Sequence, residues 1–364
     1  MPADLPPLDV AARLERLRGR FDHEACDAFV VTDLTNVRYL SGFTGSNGAL
    51  VVTPEEVTLV TDGRYRTQAA RQLEAAGVDA ALAIATDAGP ELAAATRGIT
   101  RIGVEADDIT WATQRRWATD TLSWAHLVPT QGVVLGLRSV KDDGEVARLA
   151  RAAEIADAAF AEVRHRLDDG LTEQAFRREL EDAMADHGSE APSFETIVAS
   201  GPNAAMPHAR PGDRVIGSSG RGELVVVDFG ATVSGYHSDM TRTLAVGSLT
   251  DTQERMVEVV GAAQRAGVDR VAAGVATRDV DATCRGIITE ADWGDAFAHG
   301  TGHGIGLVIH EAPRLSSRSH DVLEAGNCVT VEPGVYLPDD GGVRIEDAVV
   351  VTDTGCELLT RSPY

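Results

Sequence analysis

The chain has 364 residues, with 33 Lys plus Arg, 56 Asp plus Glu and a formal net charge of −23. Nucleic acids and anionic membranes are bound by clustered basic side chains, so this charge argues against both kinds of partner. The length exceeds what one compact core usually serves and predicts two domains. Four cysteines lie far apart without a CxxC pattern, and no apolar run suits a secretion signal or a membrane span. We therefore expect a cytoplasmic protein with reduced thiols.

The first third of the chain alternates helix and strand patterns. Short apolar runs between turn residues predict strands, and helical spacing of apolar residues predicts helices. The predicted elements are a helix at 11–20, strands at 28–32, 49–53 and 57–61, and a helix at 110–121. Together they form a small α/β domain over residues 1–133. A linker follows at 134–144, because its stretch 136–144 (GLRSVKDDG) is polar and has glycine at both ends.

The remainder, 145–364, is predicted to be a second domain that mixes helices and strands. A long helix covers 146–163, a second is capped by Thr172, a third covers 250–267 and a fourth is capped by Thr277. Strands are predicted at 224–229, 238–246, 328–332 and 343–351. The fold class is therefore α+β.

Five acids or histidines occur where an apolar strand or a glycine-rich turn presents them. They are Asp228 in LVVVDFG, Asp239 in GYHSDMTRT, His303 in HGTGHGIGLVIHE, Glu332 in CVTVEPG and Glu346 in GGVRIEDAVV. A short hairpin over 232–235 can bring Asp228 and Asp239 face to face. Taken singly, each residue has an ordinary structural explanation, such as a cap or a turn. The hypothesis of a shared site depends on the ordered set.

A cluster of four carboxylates needs compensating positive charge, because like charges raise one another's pKa. Two divalent cations supply four positive charges. One histidine with oxygen donors suits Mn, Co, Fe or Zn, and the oxygen-rich set favours Mn. Two metal ions about 3.5–4 Å apart can share a bridging hydroxide that attacks a carbonyl carbon. The residues therefore predict a dinuclear hydrolytic centre.

Four segments in this order resemble the pita-bread metallopeptidases, the family of methionine aminopeptidase, prolidase and aminopeptidase P. They are DFGATVSGYHSDMTRT, HGTGHGIGLVIHEAP, VTVEPGVY and GGVRIEDAVVV. In the first domain, NVRYLSGFTGSNGALVVT and VTDGRY resemble the N-terminal domain of the prolidase, aminopeptidase P and creatinase branch. The resemblance implies a small creatinase-type α/β domain followed by a pita-bread catalytic domain.

The resemblance also implies a ligand set, carried over residue by residue. Asp228 would chelate one metal ion, Asp239 and Glu346 would bridge both, and His303 and Glu332 would complete the other. Glu332 is in addition the implied proton shuttle between the nucleophile and the proline nitrogen.

Three further histidines match the proline-specific branch: His208 in AAMPHARP, His299 at the start of HGTGH, and His310 in IHE. His208 and His310 are candidates for the donor to the scissile carbonyl and for holding the proline side. Arg344 is open to two interpretations. It meets a substrate carboxylate or carbonyl, or it forms an ion pair with a nearby acid such as Asp347.

The implied activity is metal-dependent hydrolysis of Xaa-Pro bonds in a peptide whose second residue is proline. Two enzymes stay open: an Xaa-Pro dipeptidase (prolidase), which we favour, and an Xaa-Pro aminopeptidase (aminopeptidase P) that accepts longer peptides. A non-catalytic pita-bread binding module is the alternative from another class. The resemblance further implies a homodimer.

Overall fold

The structure is a computed structural model that describes residues 5–364. It divides into two compact units, residues 7–138 and residues 139–364 with Leu5 and Pro6. The first four residues of the predicted domain 1–133 lie outside the described residues. The chain passes between the units at Arg138 and Ser139. This point is inside a helix, although the sequence predicts an irregular linker at 134–144.

The first unit is built around one six-stranded sheet with strand order β4-β3-β2-β1-β5-β6. Its elements are α1 (Val10–Arg18), β1 (Ala28–Val31), α2 (Leu34–Ser41), β2 (Ala49–Val52), β3 (Val57–Thr61), α3 (Arg66–Ala75), β4 (Ala81–Ile84), α4 (Gly89–Ala95), β5 (Arg101–Glu105), α5 (Trp111–Arg116), β6 (His126–Thr130) and α6 (Val133–Ser139). Every residue of β1 and β2 is buried, as expected for central strands covered on both faces.

The predicted elements of this unit are confirmed, and several helices were not predicted. Thr110 caps α5 by accepting a hydrogen bond from the Thr113 amide, and a π-helical turn at Trp117–Thr121 extends the helix to its predicted end. The unpredicted helix α2 is short, so its apolar spacing is weak. Asp33 caps its N-terminus, and Gly42, with φ of 74°, ends it in the left-handed conformation.

The second unit contains four long helices and four small sheets. Its elements are α7 (Asp143–Val163), α8 (Glu173–Asp186), β7 (Ile197–Ser200), β8 (Glu223–Phe229), β9 (Thr232–Val233), β10 (Tyr236–His237), β11 (Met240–Val246), α9 (Asp251–Arg270), α10 (Thr277–Glu290), β12 (Gly302–Gly304), β13 (Glu311–Leu315), β14 (Cys328–Val331), β15 (Gly334–Leu337), β16 (Gly341–Arg344), β17 (Asp347–Val351) and β18 (Cys356–Leu358).

The sheets of this unit lie against the helices through two apolar cores. One sheet has the order β11-β8-β7 and another β13-β12-β14-β17-β18, with β9–β10 and β15–β16 as two-stranded ribbons. Phe160 of α7 and Phe176 of α8 pack with Phe229 of β8 in the first core. Met256 of α9 and Cys284 of α10 belong to the second. Both cores fix the strands from which the acidic residues project.

Three details differ from the sequence prediction. The strand expected at 343–351 is two strands, β16 and β17, in different sheets. The strand expected at 328–332 ends at Val331. Helix α10 is capped by Ala276, and Thr277 is its first residue. Within residues 5–364, no helix combines the length and the apolarity that crossing a bilayer requires.

Candidate active site

Two antiparallel strands present the first two carboxylates. β8 and β11 pair with Asp228 opposite Thr241, and Asp239 directly precedes β11. The ribbon β9–β10 returns the chain between them. At its tip, Ser234 (φ 48°) and Gly235 (φ 70°) have the left-handed conformation that a tight hairpin turn requires. The predicted hairpin between the two acids is therefore confirmed.

The strand that carries His303, β12, is closely enclosed by its neighbours β13 and β14. A Cβ at Gly302 would lie 2.0 Å from the Thr330 carbonyl oxygen, and one at Gly304 would lie 2.2 Å from that of Ala312. Only glycine permits such close backbone approach. The glycines on either side of His303 thus let β12 lie directly against β13 and β14.

The hydrogen bonds of His303 determine its tautomer. Nδ1 lies 3.1 Å from the Gly304 carbonyl oxygen, and because a carbonyl can only accept, Nδ1 carries the proton. Nε2 therefore presents a lone pair, 3.5 Å from Asp239 Oδ2 and 3.4 Å from Glu332 Oε1. Burial, and then the neighbouring His310, lower the pKa of His303 to about 3. A lone pair that faces carboxylate oxygens is the arrangement a bound cation satisfies.

The other two acids lie where strands end. Glu332 follows β14, and Glu346 lies in the two-residue break between β16 and β17. The Thr241 hydroxyl donates to Glu346 Oε2 at 2.7 Å, and the Thr241 carbonyl accepts from the Glu346 amide at 3.2 Å. Ligand atoms of Asp239, His303 and Glu346 all lie within 4.8 Å of one another. Thr241 thus fixes Glu346 in this cluster.

The electrostatics of the cluster fit bound divalent cations. Burial and neighbouring carboxylates raise the pKa of Asp239 and Glu346 well above their ordinary values, and burial raises the pKa of Glu332 to about 7. Asp228 Oδ1 and Glu346 Oε1 are buried with no hydrogen-bond partner in residues 5–364. Buried carboxylates are normally paired or bound to metal. One imidazole and four carboxylates are a donor set suited to such cations.

Arg344 is bound to one side of the acidic cluster. Nη2 donates to Asp228 Oδ2 at 2.5 Å, and Nη1 donates to the Tyr336 hydroxyl at 2.9 Å and to the Pro207 carbonyl at 3.2 Å. Nε donates to the Thr241 hydroxyl at 3.1 Å. The guanidinium therefore links four acceptors, one of which is a candidate metal ligand.

Arg344 does form an ion pair with a nearby acid, as one of the two interpretations expected, but its partner is Asp228 and not Asp347. Asp347 Oδ1 instead accepts from Arg242 Nη2 at 2.7 Å, and both side chains are buried. Gln264 Nε2 donates to Asp347 Oδ2 at 2.8 Å. The Asp347 side chain is thus held on the other side of the backbone from the Glu346 carboxylate, because adjacent residues of an extended chain alternate.

Two of the three predicted histidines have defined partners in the pocket. His299 Nδ1 lies 2.8 Å from the Gly300 carbonyl and carries the proton, so the Tyr336 hydroxyl donates to Nε2 at 2.9 Å. Burial lowers the pKa of His299 to about 4, so it is neutral at pH 7. The His310 ring packs edge-on against His303, with ring centroids 4.4 Å apart. Burial also lowers the pKa of His310.

All nine predicted site residues line one pocket with a volume of about 770 Å³. They are Asp228, Asp239, His303, Glu332, Glu346, His208, His299, His310 and Arg344. Arg314, which was not predicted from the sequence, lines the same pocket from β13, opposite His303. Its guanidinium makes no hydrogen bond or ion pair with the described part of the chain. The pairing of β12 with β13 places Arg314 in the pocket, and the local sequence gives no signal for this pairing.

The chain belongs to metallopeptidase family M24, whose model matches residues 147–353. Residues 13–140 match the creatinase/prolidase N-terminal domain. The predicted α+β fold, the family and the metallopeptidase class are thereby confirmed.

Individual relatives span almost the whole chain. The "Uncharacterized peptidase YqhT" of Bacillus subtilis is 40% identical over 357 residues, covering 96% of this chain and 98% of that protein. The solved structure of an Xaa-Pro dipeptidase from Bacillus anthracis has 40% identity and a TM-score of 0.91, covering 97% of this chain and 98% of its own. That of an X-Pro aminopeptidase from Thermotoga maritima has 34% identity and a TM-score of 0.86, covering 96% and 98%.

Proposed function

We propose that this chain is an Xaa-Pro dipeptidase that works with two divalent cations. The observation that carries the proposal is a single pocket with an acidic cluster on one side and an unpaired cation, Arg314, in its lining. A dipeptide has an amine at one end and a carboxylate at the other. Arg314 would offer the carboxylate a receptor of opposite charge, and the free α-amine would lie near the carboxylates that hold the cations.

The ligands would divide between the two cations as the resemblance implies. Asp228 would hold one, His303 and Glu332 the other, and Asp239 and Glu346 would lie between them. When bound, the cations supply an activated water at neutral pH and polarise the scissile carbonyl. Mn is favoured because four of the five side chains are oxygen donors, with Co, Zn or Fe as alternatives.

The protein's own groups bind the substrate and move protons. An Xaa-Pro bond has no N–H for an enzyme to grip, and its leaving group is a secondary amine that must gain a proton. Glu332, itself a member of the cluster, would accept a proton from the attacking water and deliver it to the proline nitrogen. His208 and His310 would donate to the carbonyl oxygen and contact the proline ring. Tyr336 keeps His299 oriented in the wall of the same pocket.

Arg314 would bind the proline carboxylate, which distinguishes a dipeptidase from an aminopeptidase. A guanidinium binds a carboxylate through two parallel hydrogen bonds. A longer peptide places a neutral amide at this position and loses that interaction. An aminopeptidase P is the second candidate, favoured by the similarity to the Thermotoga maritima structure.

The deciding test compares hydrolysis of Ala-Pro, Ala-Pro-Ala and Ala-Ala by protein reconstituted with Mn²⁺. Cleavage of Ala-Pro alone is expected. Equal cleavage of Ala-Pro-Ala would identify an aminopeptidase P, and inactivity on both proline peptides with two metal ions bound would overturn the proposal. Arg314→Met should raise KM for Ala-Pro. Arg318→Met is the matched control, because Arg318 is exposed and does not line the pocket.

We further propose that the enzyme is a cytoplasmic homodimer. The support for the dimer is the family resemblance, and light scattering after size exclusion tests it. The support for the compartment is that all four cysteines are free, as is usual in a reducing environment.

A further inference from the structure

Lys141 is the only lysine in the chain, so the other 32 of the 33 basic residues are arginine. Its side chain is only 1% exposed. All the remaining basic positions are arginine, and the single lysine occupies a buried position. Lysine carries a compact charge with three donors, whereas the larger arginine fork carries five. We therefore expect position 141 to discriminate between the two side chains.

The ammonium group is paired inside the second unit. Nζ lies 3.3 Å from Glu311 Oε2, whose side chain is also 1% exposed, and 3.4 Å from the Ser139 carbonyl oxygen. A buried carboxylate and a buried ammonium group each depend on the other, because removing one leaves an uncompensated charge. The conformation of Glu311 is therefore coupled to Lys141.

Glu311 determines the conformation of the segment before it, residues 306–310. Its Oε1 accepts a hydrogen bond from the Val308 amide at 3.0 Å. A Cβ at Gly306 would lie 2.6 Å from Oε2, so the backbone packs directly on the carboxylate. The segment ends with His310, which packs against His303 and lines the pocket.

We infer that Lys141 is a positioning residue of the active site, which holds His310 in the pocket through its buried ion pair with Glu311. The inference rests on the proposed function for what His310 does to the substrate. Without the ion pair, the side chain at position 311 would lose the Nζ contact that fixes its Oε2 end. The segment 306–310 would move with it, and His310 would leave its place beside His303.

The test replaces both charges, Lys141→Met with Glu311→Gln, because a neutral pair leaves no buried charge that would unfold the protein. We expect kcat/KM for Ala-Pro to fall about tenfold or more with the bound metal unchanged, since small misplacements of a positioning group have such effects. In a His310→Ala background, the same double change should have no further effect. An equal loss in both backgrounds, or no loss in either, overturns the inference.

Two further variants sharpen the result. Lys141→Arg keeps the charge and should still lower kcat/KM, so full activity in this variant would contradict the discrimination between the cations. Arg166→Met with Glu179→Gln is the matched control, because this ion pair is half-exposed and remote in sequence from the segment. Its activity should equal that of the unmodified enzyme.

Hydrogen exchange separates this inference from the proposed function. The Val308 amide should exchange faster in the Lys141→Met/Glu311→Gln protein than in the parent, and this is measured without substrate. If the parent cleaves no proline peptide but the exchange rate rises, the proposed function fails and the positioning role stands. An unchanged exchange rate overturns the positioning role whatever the activity.

Discussion

Arg344 donates a hydrogen bond to Asp228 through Nη2 at 2.5 Å, so a guanidinium borders one end of the acidic cluster. The same side chain reaches Tyr336, which in turn donates to His299. One residue thus connects a candidate metal ligand to a pocket histidine through a continuous set of hydrogen bonds.

Replacing Arg344 with lysine should lower kcat by about 10²-fold while metal content stays the same. A lysine ammonium group has three donors on one atom and cannot reach Asp228, Tyr336 and Thr241 at once. Steady-state kinetics and elemental analysis of the same preparation measure the two quantities. Arg318→Lys, at an exposed position, should leave both unchanged. A wild-type kcat in the Arg344 variant would contradict a role in the site.

Replacing Glu346 with glutamine should abolish metal binding and activity together, with activity falling by about a thousandfold or more. Glu346 Oε1 is buried without a partner, and its Oε2 is held by Thr241, so an amide cannot turn away to avoid the cations. Metal stoichiometry after dialysis and turnover of Ala-Pro are the measurements. Asp339→Asn is the exposed-acid control. A variant that stays fully active after chelation would exclude the two-metal centre.

The sequence predicted the site better than the path of the chain around it. The nine predicted residues meet in one pocket because each lies in or beside a glycine-rich or apolar segment that can be recognised locally. Glu346 was expected within a strand. It lies instead between two strands of different sheets. The last residue of β16, Arg344, pairs with Gly334, and the first residue of β17, Asp347, pairs with Val331. A change of sheet depends on distant partners, and hydrophobic pattern alone does not record it.

Two site features escaped prediction for the same physical reason. Arg314 reaches the pocket because β13 pairs with β12 opposite His303. Lys141 is important because it meets Glu311, 170 residues later in the chain. Both depend on tertiary contacts between segments that have no local mark of function. The composition did show that Lys141 was unique, and only its burial gave that fact a meaning.

Replacing Glu173 with glutamine should displace the loop that carries His208. Glu173 is fully buried, and its Oε1 accepts from the Ser200 amide, the Ser200 hydroxyl and Asn203 Nδ2, while Oε2 accepts from the Gly212 amide at 3.1 Å. A glutamine presents an NH₂ group to one of these donors. We expect a loss of about 1–3 kcal/mol in unfolding free energy and a lower kcat/KM.

Denaturant unfolding and Ala-Pro kinetics measure these two effects of Glu173→Gln. Glu258→Gln, at an exposed position on α9, is the control and should change neither. If Glu173→Gln lowers stability but leaves kcat/KM unchanged, the loop tolerates the change and His208 does not depend on Glu173.

His299 should make the stability of the folded protein depend on pH. Burial lowers its pKa from 6.5 to about 4, so between these values the unfolded chain binds a proton that the folded chain does not. The contribution of this group to stability is complete above pH 6.5 and is lost as the pH falls toward 4. Relative to a His299→Gln variant, the parent should therefore lose about 2 kcal/mol of unfolding free energy between pH 7.5 and pH 5.

The measurement compares denaturant unfolding of the parent and His299→Gln at both pH values, in chelator-treated protein so that metal release does not contribute. Glutamine can still accept from Tyr336, so the variant removes the titration and keeps a partner for the hydroxyl. His320→Gln is the control, because His320 is exposed and its replacement should leave the difference between the two pH values unchanged. A constant stability gap between parent and His299→Gln would mean that the imidazole gains a proton as readily in the folded state as in water.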